Sequence, residues 1–233
     1  MLRRINPVKP ATMTRTFAIG DIHGCSNTFK KLILEKLNIQ KSDEVYCVGD
    51  YIDRGKDSKA VIDFIIDLRL KGYHIHTLRG NHEQMMIDSV IDRDKLYLWL
   101  INGGGETLES FGISSVNEIS PGYLSFLRDT KFFIETDEYI FVHAGLNFRI
   151  EDPFTDTEAM LWIRDDYFDA SKIDNRKVIH GHTPIPAERL IRQSTSYNIN
   201  IDGGCVYHDR AGYGNLFALS IPDMQFISVK NID

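Results

Sequence analysis

Five short stretches of the chain combine glycine with histidine, aspartate or asparagine. They are GDIHG at 20–24, GDYIDRG at 49–55, RGNHE at 79–83, HAG at 143–145 and HGHT at 180–183. The donor atoms that they offer are oxygen and nitrogen rather than thiolate sulfur, which argues against a structural zinc site. Mixed carboxylate, imidazole and amide ligands suit manganese, iron or zinc in a catalytic site. The predicted metal ligands are Asp21, His23, Asp50, Asn81, His143 and His182.

Asp50 is predicted to bridge two metal ions. Two cations at the ~3.5–4 Å spacing of two-metal sites repel each other unless an anion lies between them. Asp50 is the carboxylate available for that role. Two divalent ions that share a water lower its pKa toward ~7, which provides a hydroxide nucleophile at neutral pH. This arrangement suits in-line displacement at phosphorus.

The other polar residues of the second and third stretches suit a phosphoester substrate. Arg54 has a planar donor fork that matches phosphate oxygens. His82 can protonate the leaving oxygen as a general acid, and Asp53 can orient that imidazole and favour its charged form. We therefore predict that His82 and Asp53 are catalytic and that Arg54 binds the phosphate.

An apolar run precedes each of the five stretches and predicts a buried strand. Helical patterns at 26–37 and 57–72 separate the first three runs, with Ser26 as an N-cap and Gly72 as a C-cap candidate. This alternation predicts βαβ units and a parallel sheet. Ligands bind beyond the carboxyl ends of the strands in such sheets, so we expect the five stretches to form one site.

The second half of the chain has a different pattern. Residues 131–145 predict a hairpin with its turn around 136–138, and three short strands after residue 195 suggest an antiparallel meander. No linker rich in glycine and serine divides the chain. We predict a loose N-terminal segment at 1–12 and a single α/β domain at 13–233, with two packed sheets flanked by helices.

Composition limits the classes of partner. The chain has 233 residues and a formal net charge of −6, whereas general nucleic-acid binders carry a basic surplus. No apolar run approaches the ~20 residues of a membrane span. Its three cysteines show no zinc-ligand or CxxC spacing and suggest reduced thiols in the cytoplasm. We thus expect a cytoplasmic protein with neither a nucleic-acid nor a membrane partner.

Several residues near the five stretches have a structural explanation. Cys25 is predicted to pack near a helix start, and His180 is predicted to face away from His182 because side chains alternate along a strand. Tyr97, Trp99 and Leu100 have helical spacing and are expected in the core. Residues 103–105 suggest a turn. Asp202 has two open interpretations: it supports a ligand histidine, or it belongs to a turn.

The five ordered stretches resemble the signature blocks of the PPP family of metallophosphoesterases, within the calcineurin-like superfamily. The sequence is most similar to the bacteriophage lambda protein phosphatase and its bacterial relatives, as RGNHEQMMID at 79–88 and NGGG at 102–105 indicate. The resemblance covers most of the chain beyond residue 15. It implies a mixed central β-sandwich flanked by helices in a four-layer fold.

The resemblance also implies roles for single residues. Asp21, His23 and Asp50 would hold the first metal. Asp50 would share the second metal with a further set of ligands, namely Asn81, His143 and His182. Arg164, in LWIRDDY, would join Arg54 and Asn81 in binding substrate. The cofactors would be two divalent ions, with Mn²⁺ preferred and iron or zinc as alternatives.

The activity implied first is hydrolysis of phosphate monoesters, with phosphoserine or phosphothreonine on proteins as the main substrate and small phosphoesters as others. A second candidate is the symmetrical cleavage of dinucleoside polyphosphates. Enzymes of that type tend to carry GNHD and an altered DRG block, whereas this chain has GNHE and GDYIDRG. Nucleases and phosphodiesterases end the last block with GHxH, where Pro184 stands here.

A non-catalytic, metal-free scaffold is the third candidate, but such proteins lose ligands and this chain retains all six. The surface loops at 101–131 and 147–176 are expected to set substrate selectivity. The sequence does not specify an oligomeric state.

Overall fold

A computed structural model describes residues 14–233, so the predicted loose segment at 1–12 lies outside the described residues. The strands are β1 (Thr16–Ile19), β2 (Glu44–Cys47), β3 (His74–Thr77), β4 (Phe133–Glu135), β5 (Tyr139–Val142), β6 (Lys177–His180), β7 (Asn198–Asn200), β8 (Asn215–Ile221) and β9 (Gln225–Lys230). The α-helices are α1 (Ser26–Lys31), α2 (Ser58–Leu70), α3 (Asn81–Ser89), α4 (Arg93–Trp99), α5 (Gly105–Phe111), α6 (Pro121–Asp129), α7 (Thr157–Trp162) and α8 (Ala187–Leu190). Two π-helical segments, Leu32–Lys36 and Leu100–Gly104, follow α1 and α4. Short 3₁₀ turns lie at Val116–Glu118, Pro153–Thr155, Ala170–Ile173 and Ile191–Gln193.

The strands form two mixed sheets. The first has the order β3-β2-β1-β8-β9, in which β1, β2 and β3 are parallel and β8 and β9 are antiparallel. The second has the order β4-β5-β6-β7, in which β5, β6 and β7 are parallel. The predicted parallel sheet in the first half of the chain and the predicted β4–β5 hairpin are both confirmed.

The predicted antiparallel meander after residue 195 is wrong in part. Strands β8 and β9 do form an antiparallel hairpin, but β7 pairs in parallel with β6 in the other sheet. Strand β7 is only three residues long, and its local pattern does not specify which neighbour it joins. The loop after β7 therefore crosses between the sheets.

The core has layers on both faces of the sheets, as the mixed α/β fold requires. Buried side chains from both sheets form one cluster: Ala18, Tyr46, Val48, Leu78, Tyr139, Phe141, Ile179, Ile199, Ile201, Leu219 and Ile221. Phe17, Ile19 and Cys47 alternate with members of this cluster along their strands and pack with Phe29 of α1 and Ile62 of α2. The first sheet thus lies between the second sheet and the helices.

Helices α1 and α2 are amphipathic as predicted, with Phe29, Val61 and Ile65 fully buried. Of the three core positions predicted at the end of α4 and just after it, only Trp99 is fully buried, whereas Tyr97 is 68% and Leu100 38% exposed. None of the helices between residues 14 and 233 has the length and apolar character that crossing a membrane requires.

Candidate metal centre and active site

The carboxyl ends of five strands, β1, β2, β3, β5 and β6, meet at one edge of the two sheets and carry the predicted site residues. Asp21 and His23 follow β1, and Asp50 follows β2. Asn81 and His82 open α3 directly after β3. His143 follows β5, and His182 follows β6. The predicted metal ligands, which come from distant parts of the sequence, are buried together at this edge.

Five of the predicted site residues have a backbone φ in the left-handed region, where non-glycine residues are uncommon. They are His23 (φ 46°), Asp50 (φ 50°), Asp53 (φ 70°), Arg54 (φ 67°) and His182 (φ 71°). Each lies in the loop that leaves a strand, so the chain turns sharply where it presents the side chain. Strained backbone of this kind concentrates at functional sites.

Asp50 lies between two groups of histidines. Its Oδ2 is 3.4 Å from His23 Nε2, and its Oδ1 is 3.5 Å from His143 Nε2. His182 completes the second group, in which ligand atoms of Asp50, His143 and His182 lie within 4.8 Å of one another. Burial disfavours the ionised Asp50 carboxylate, but His143, His82 and His23 hold its pKa well below the ordinary value. One carboxylate thus offers one oxygen to each group.

The tautomers of the histidines direct their lone pairs inward. The Nδ1–H of His23 donates to the Ile52 carbonyl oxygen at 2.9 Å, and that of His143 to the Val48 carbonyl oxygen at 3.0 Å. Burial lowers the pKa of both imidazoles, which favours the neutral form. A neutral imidazole that donates from Nδ1 has a free lone pair on Nε2. Backbone carbonyls that fix this tautomer are typical of metal-ligating histidines.

The second group contains facing acceptors that a cation would satisfy. Nε2 of His143 lies 3.0 Å and Nδ1 of His182 lies 2.9 Å from Oδ1 of Asn81. With His143 Nδ1–H donated to Val48, its Nε2 has no proton to offer the amide oxygen. Burial and His143 lower the pKa of His182 to about 3, so this ring is also neutral. The residues of this group therefore fit a divalent cation.

Asp21 adds a further acidic group beside the two histidine groups. Its Oδ2 accepts the backbone N–H of His182 at 3.0 Å, and its buried Oδ1 has no hydrogen-bond partner within residues 14–233. Burial, Asp202 and Asp50 raise the pKa of Asp21. Asp202 supports no histidine: its Oδ1 accepts the N–H of Gly204 at 2.8 Å, which agrees with the turn interpretation. These buried carboxylates, like the orphaned oxygen, fit a site for cations.

His82 and Asp53 form the predicted pair. His82 Nδ1 lies 2.6 Å from Asp53 Oδ2, while its buried Nε2 has no hydrogen-bond partner in the described chain and lies 4.0 Å from Asp50 Oδ2. Burial lowers the pKa of His82, but Asp50 and Asp53 more than offset this, so the pKa is raised above its usual value. A protonated His82 thus directs one N–H toward the centre. The ligand atoms of His82, His23 and Asp50 lie within 4.8 Å of one another, a spacing that also suits a metal ion.

Trp99 and Thr107 hold Asp53 in place, a role that the sequence analysis missed. The Trp99 indole N–H donates to Asp53 at 3.0 Å, and the Thr107 hydroxyl donates to Asp53 Oδ1 at 2.6 Å. Both residues are fully buried. Spacing alone gave Trp99 a core position and said nothing about its nitrogen. The one available signal was the rule that a buried indole N–H needs an acceptor.

The two predicted phosphate-binding arginines lie by different histidine groups. Arg54 Nη1 donates to His23 Nε2 at 2.7 Å. The resemblance assigns the lone pair of this His23 nitrogen to the first metal. This contact and a cation on the same nitrogen exclude each other. Arg164 is exposed, and its Nη1 donates to Thr183 Oγ1 at 2.9 Å, one residue after His182.

Glu83, the last residue of RGNHE, anchors two of the loops. Its carboxylate accepts the backbone N–H groups of Asp50 and Gly80 at 2.9 Å and that of Tyr51 at 2.8 Å. The side chain is fully buried. Glu83 therefore fixes the Asp50 loop against the start of α3 and contacts only protein backbone through these bonds.

A two-sheet α/β fold that gathers aspartate, histidine and asparagine at one sheet edge defines a metal-dependent hydrolase of the phosphoesterase type. The family model of the calcineurin-like phosphoesterases matches residues 14–217, which is most of the chain. The chain belongs to that family.

Two curated relatives are similar to the chain over different lengths. The asymmetrical bis(5′-nucleosyl)-tetraphosphatase PrpE of Oceanobacillus iheyensis is 25% identical over 250 residues, which cover 91% of each chain. Serine/threonine-protein phosphatase 1 of Salmonella typhimurium is 38% identical over 88 residues, which cover 38% of each chain.

A solved structure of a candidate diadenosine tetraphosphatase has the same fold. It superposes with a TM-score of 0.68 at 23% identity and covers 97% of each chain. At this identity the likeness shows the fold alone.

Proposed function

We propose that this protein hydrolyses dinucleoside tetraphosphates. The observation that carries the proposal is the similarity to a bis(5′-nucleosyl)-tetraphosphatase over 91% of both chains. The proposal reverses the order of the two enzymatic candidates from the sequence, since the phosphoprotein phosphatase relative matches only 38% of each chain. A small phosphoester is then the substrate in place of a phosphorylated protein.

The proposed metal site comprises the first ligand set with Asp21 and His23 and the second with Asn81, His143 and His182, joined by Asp50. When bound, two divalent ions supply an activated water and neutralise charge on the phosphate. Manganese is our first choice, and these ligands also suit iron and zinc. The orphaned Asp21 oxygen and the facing acceptors around Asn81 support this assignment.

The protein's own residues bind the phosphate and move a proton. Arg54, beside the first histidine group, and Arg164, beside the second, both bind phosphate oxygens. Asn81 lies between His143 and His182, and its substrate-binding role would place a phosphate beside this group. His82 donates its Nε2 proton to the leaving oxygen while Asp53 holds the ring. A nucleotide is a better leaving group than a serine alkoxide, so dinucleotide cleavage needs this proton less.

Phosphoprotein hydrolysis is the second candidate, supported by the 38% identity to the Salmonella phosphatase. The GNHE block no longer favours it, because Glu83 is buried and its carboxylate accepts backbone N–H groups. A metal-free scaffold is the weakest candidate, since the described chain keeps the complete set of predicted ligands around Asp50.

The test compares substrates on one preparation. Purified protein is stripped of metal, reloaded with Mn²⁺ and assayed on diadenosine tetraphosphate and on a phosphoserine peptide. The proposal predicts a higher kcat/KM on the dinucleotide, and chromatography of the nucleotide products distinguishes symmetrical from asymmetrical cleavage. A higher kcat/KM on the peptide would overturn the substrate class, and no metal-dependent turnover of either would favour the scaffold.

A further inference from the structure

A cavity of about 380 Å³ lies beside Arg164, and we call it the Arg164 cavity. Its volume is within the roughly 300–1,000 Å³ of small-molecule pockets. The walls come from the loops after β5 and β6, from the 163–167 segment and from the start of β7. The same loops carry His143 and His182, so the cavity adjoins the second histidine group.

The walls of the Arg164 cavity combine aromatic and amide groups. Buried Phe148 and Tyr167 line it. Tyr167 is 47% exposed, and the Arg149 guanidinium lies 5.1 Å from the centre of its ring, so a base would stack on the opposite face. Asn198 lines it as well, and its side-chain amide has no hydrogen-bond partner among residues 14–233. Aromatic rings stack on nucleobases, and asparagine amides pair with the edge of adenine.

His180 adds a second polar group to these walls. It faces away from the metal ligands, as strand alternation predicts, and lines the Arg164 cavity. Its Nδ1 lies 3.2 Å from the Gly181 carbonyl oxygen, and its Nε2 has no partner in the described part of the chain. An imidazole nitrogen and an amide without partners suit the hydrogen-bonding edge of a heterocycle.

Charged residues of both signs line the Arg164 cavity. Asp165 and Asp166 line the cavity together with Arg189, and Asp165 forms an ion pair with Arg149. Arg164 lines it as well and donates to Thr183, next to the ligand His182. A phosphate held between Arg164 and the second histidine group would therefore leave its uncharged substituent at the cavity.

A second cavity, of about 500 Å³, begins at the other arginine. Arg54, Tyr207, Ile101 and Gly103 line it, and the Arg54 guanidinium lies 5.9 Å from the centre of the Tyr207 ring. One cavity thus opens beside each histidine group, each with an arginine and a tyrosine. This arrangement suits a ligand that has an aromatic group at both ends of a phosphate chain.

From these walls and charges we infer that the Arg164 cavity binds one nucleoside of the dinucleoside polyphosphate, with the base against Tyr167 and Asn198. The inference rests on the proposed function, because it assigns a pocket to part of that substrate. The expected selectivity loop at 147–176 then contributes Tyr167 and Phe148 to substrate recognition.

The test fills the cavity without touching a predicted ligand. Asn198→Phe adds an aromatic ring on strand β7, and Thr195→Phe adds the same ring at an exposed residue of the turn before β7, outside the cavity. We expect Asn198→Phe to lower the ratio of kcat/KM on diadenosine tetraphosphate to kcat/KM on phenyl phosphate about tenfold or more. Thr195→Phe should change the ratio less than twofold.

A second pair of variants tests the pocket independently, in case Asn198→Phe does not fold. Tyr167→Leu removes the stacking ring, and Tyr97→Leu removes an exposed ring that lines neither cavity. Saturation-transfer NMR with adenosine measures nucleoside binding without phosphate, on metal-stripped protein. The adenosine signal should fall in Tyr167→Leu and persist in Tyr97→Leu.

The outcomes separate the pocket from the activity. If wild-type protein cleaves the dinucleotide but neither cavity variant lowers the ratio or the adenosine signal, the pocket is overturned and the proposed function stands. If wild-type protein binds adenosine through Tyr167 but does not cleave the dinucleotide, the proposed function fails and the nucleoside pocket stands. If Asn198→Phe lowers kcat/KM on a phosphoserine peptide relative to phenyl phosphate but leaves the dinucleotide ratio unchanged, the nucleoside assignment is overturned.

Discussion

Arg54 Nη1 contacts His23 Nε2 at 2.7 Å, so a guanidinium lies on the nitrogen predicted to bind the first metal. A metal ion must displace this contact, and the released guanidinium is then free to bind phosphate. Arg54 and the first metal thus compete for one lone pair.

Arg54→Met should therefore tighten Mn²⁺ binding at the first group by about tenfold, equivalent to ~1.4 kcal/mol. Hydrogen bonds that involve a charged group are worth ~1.5–3 kcal/mol, and this one is lost when metal binds. Calorimetric titration of metal-stripped protein measures the change. Arg164→Met removes a similar charge without a ligand contact, and equal tightening in both variants would reduce the effect to charge alone.

His82→Asn should lower kcat most for substrates with poor leaving groups. General acid catalysis contributes roughly 10²–10⁴-fold when the leaving oxygen needs a proton. We expect a loss of this size on phenyl phosphate and a much smaller loss on p-nitrophenyl phosphate. The matched control is His208→Asn, an exposed histidine outside the site. Equal losses on both substrates would contradict the general-acid role.

Trp99→Phe should act as a milder form of the same defect, because Asp53 loses the indole N–H while the core keeps an aromatic ring. We expect kcat to fall about tenfold on phenyl phosphate and less on p-nitrophenyl phosphate, since buried hydrogen bonds are worth ~1–3 kcal/mol. Tyr51→Phe removes another buried donor, which bonds the Cys47 and Leu78 carbonyl oxygens. The same leaving-group dependence in Tyr51→Phe would mean that Trp99 acts only through stability.

Gly103→Ala and Gly105→Ala should have opposite effects two residues apart. At Gly103 φ is +105° and a Cβ would lie 2.7 Å from the Arg54 backbone nitrogen, whereas a Cβ at Gly105 meets nothing within 4 Å. Gly103→Ala should destabilise the protein by ~1–3 kcal/mol and raise KM through Arg54. Gly105→Ala in helix α5 should be stabilising by ~0.5–1 kcal/mol. Urea unfolding measures both, and a neutral Gly103→Ala would contradict the close approach.

The strand ends could be predicted from the sequence because their signals are local. An apolar run followed by glycine and a polar residue marks each of β1, β2, β3, β5 and β6, and parallel strands bring such ends together. The pairing of β7 with β6 depends on distant residues, so the three-residue strand gave no signal for it. The π-helical segment that begins at Leu100 had no signal in the local spacing either, and Leu100 is partly exposed.

The interactions around the predicted site residues could not be predicted in the same way. Trp99 and Thr107 reach Asp53 across about 50 residues of sequence, through the packing of α4 and α5. Glu83 illustrates the converse error: its position in RGNHE suggested a link to substrate class, whereas its carboxylate holds backbone N–H groups. The presence of a residue in a motif does not tell whether its side chain contacts the substrate or holds the backbone of the site.

The proposed hydrolytic activity depends on a binuclear centre that Asp50 is predicted to bridge, and metal stoichiometry tests this prediction most directly. Mn²⁺ is titrated calorimetrically into metal-stripped wild-type protein, Asp50→Asn and the control Asp63→Asn, whose carboxylate is 44% exposed. We predict two ions per chain for wild type and Asp63→Asn, and at most one tightly bound ion for Asp50→Asn. Two ions bound by Asp50→Asn with wild-type affinity would contradict the bridging role and the account built on it.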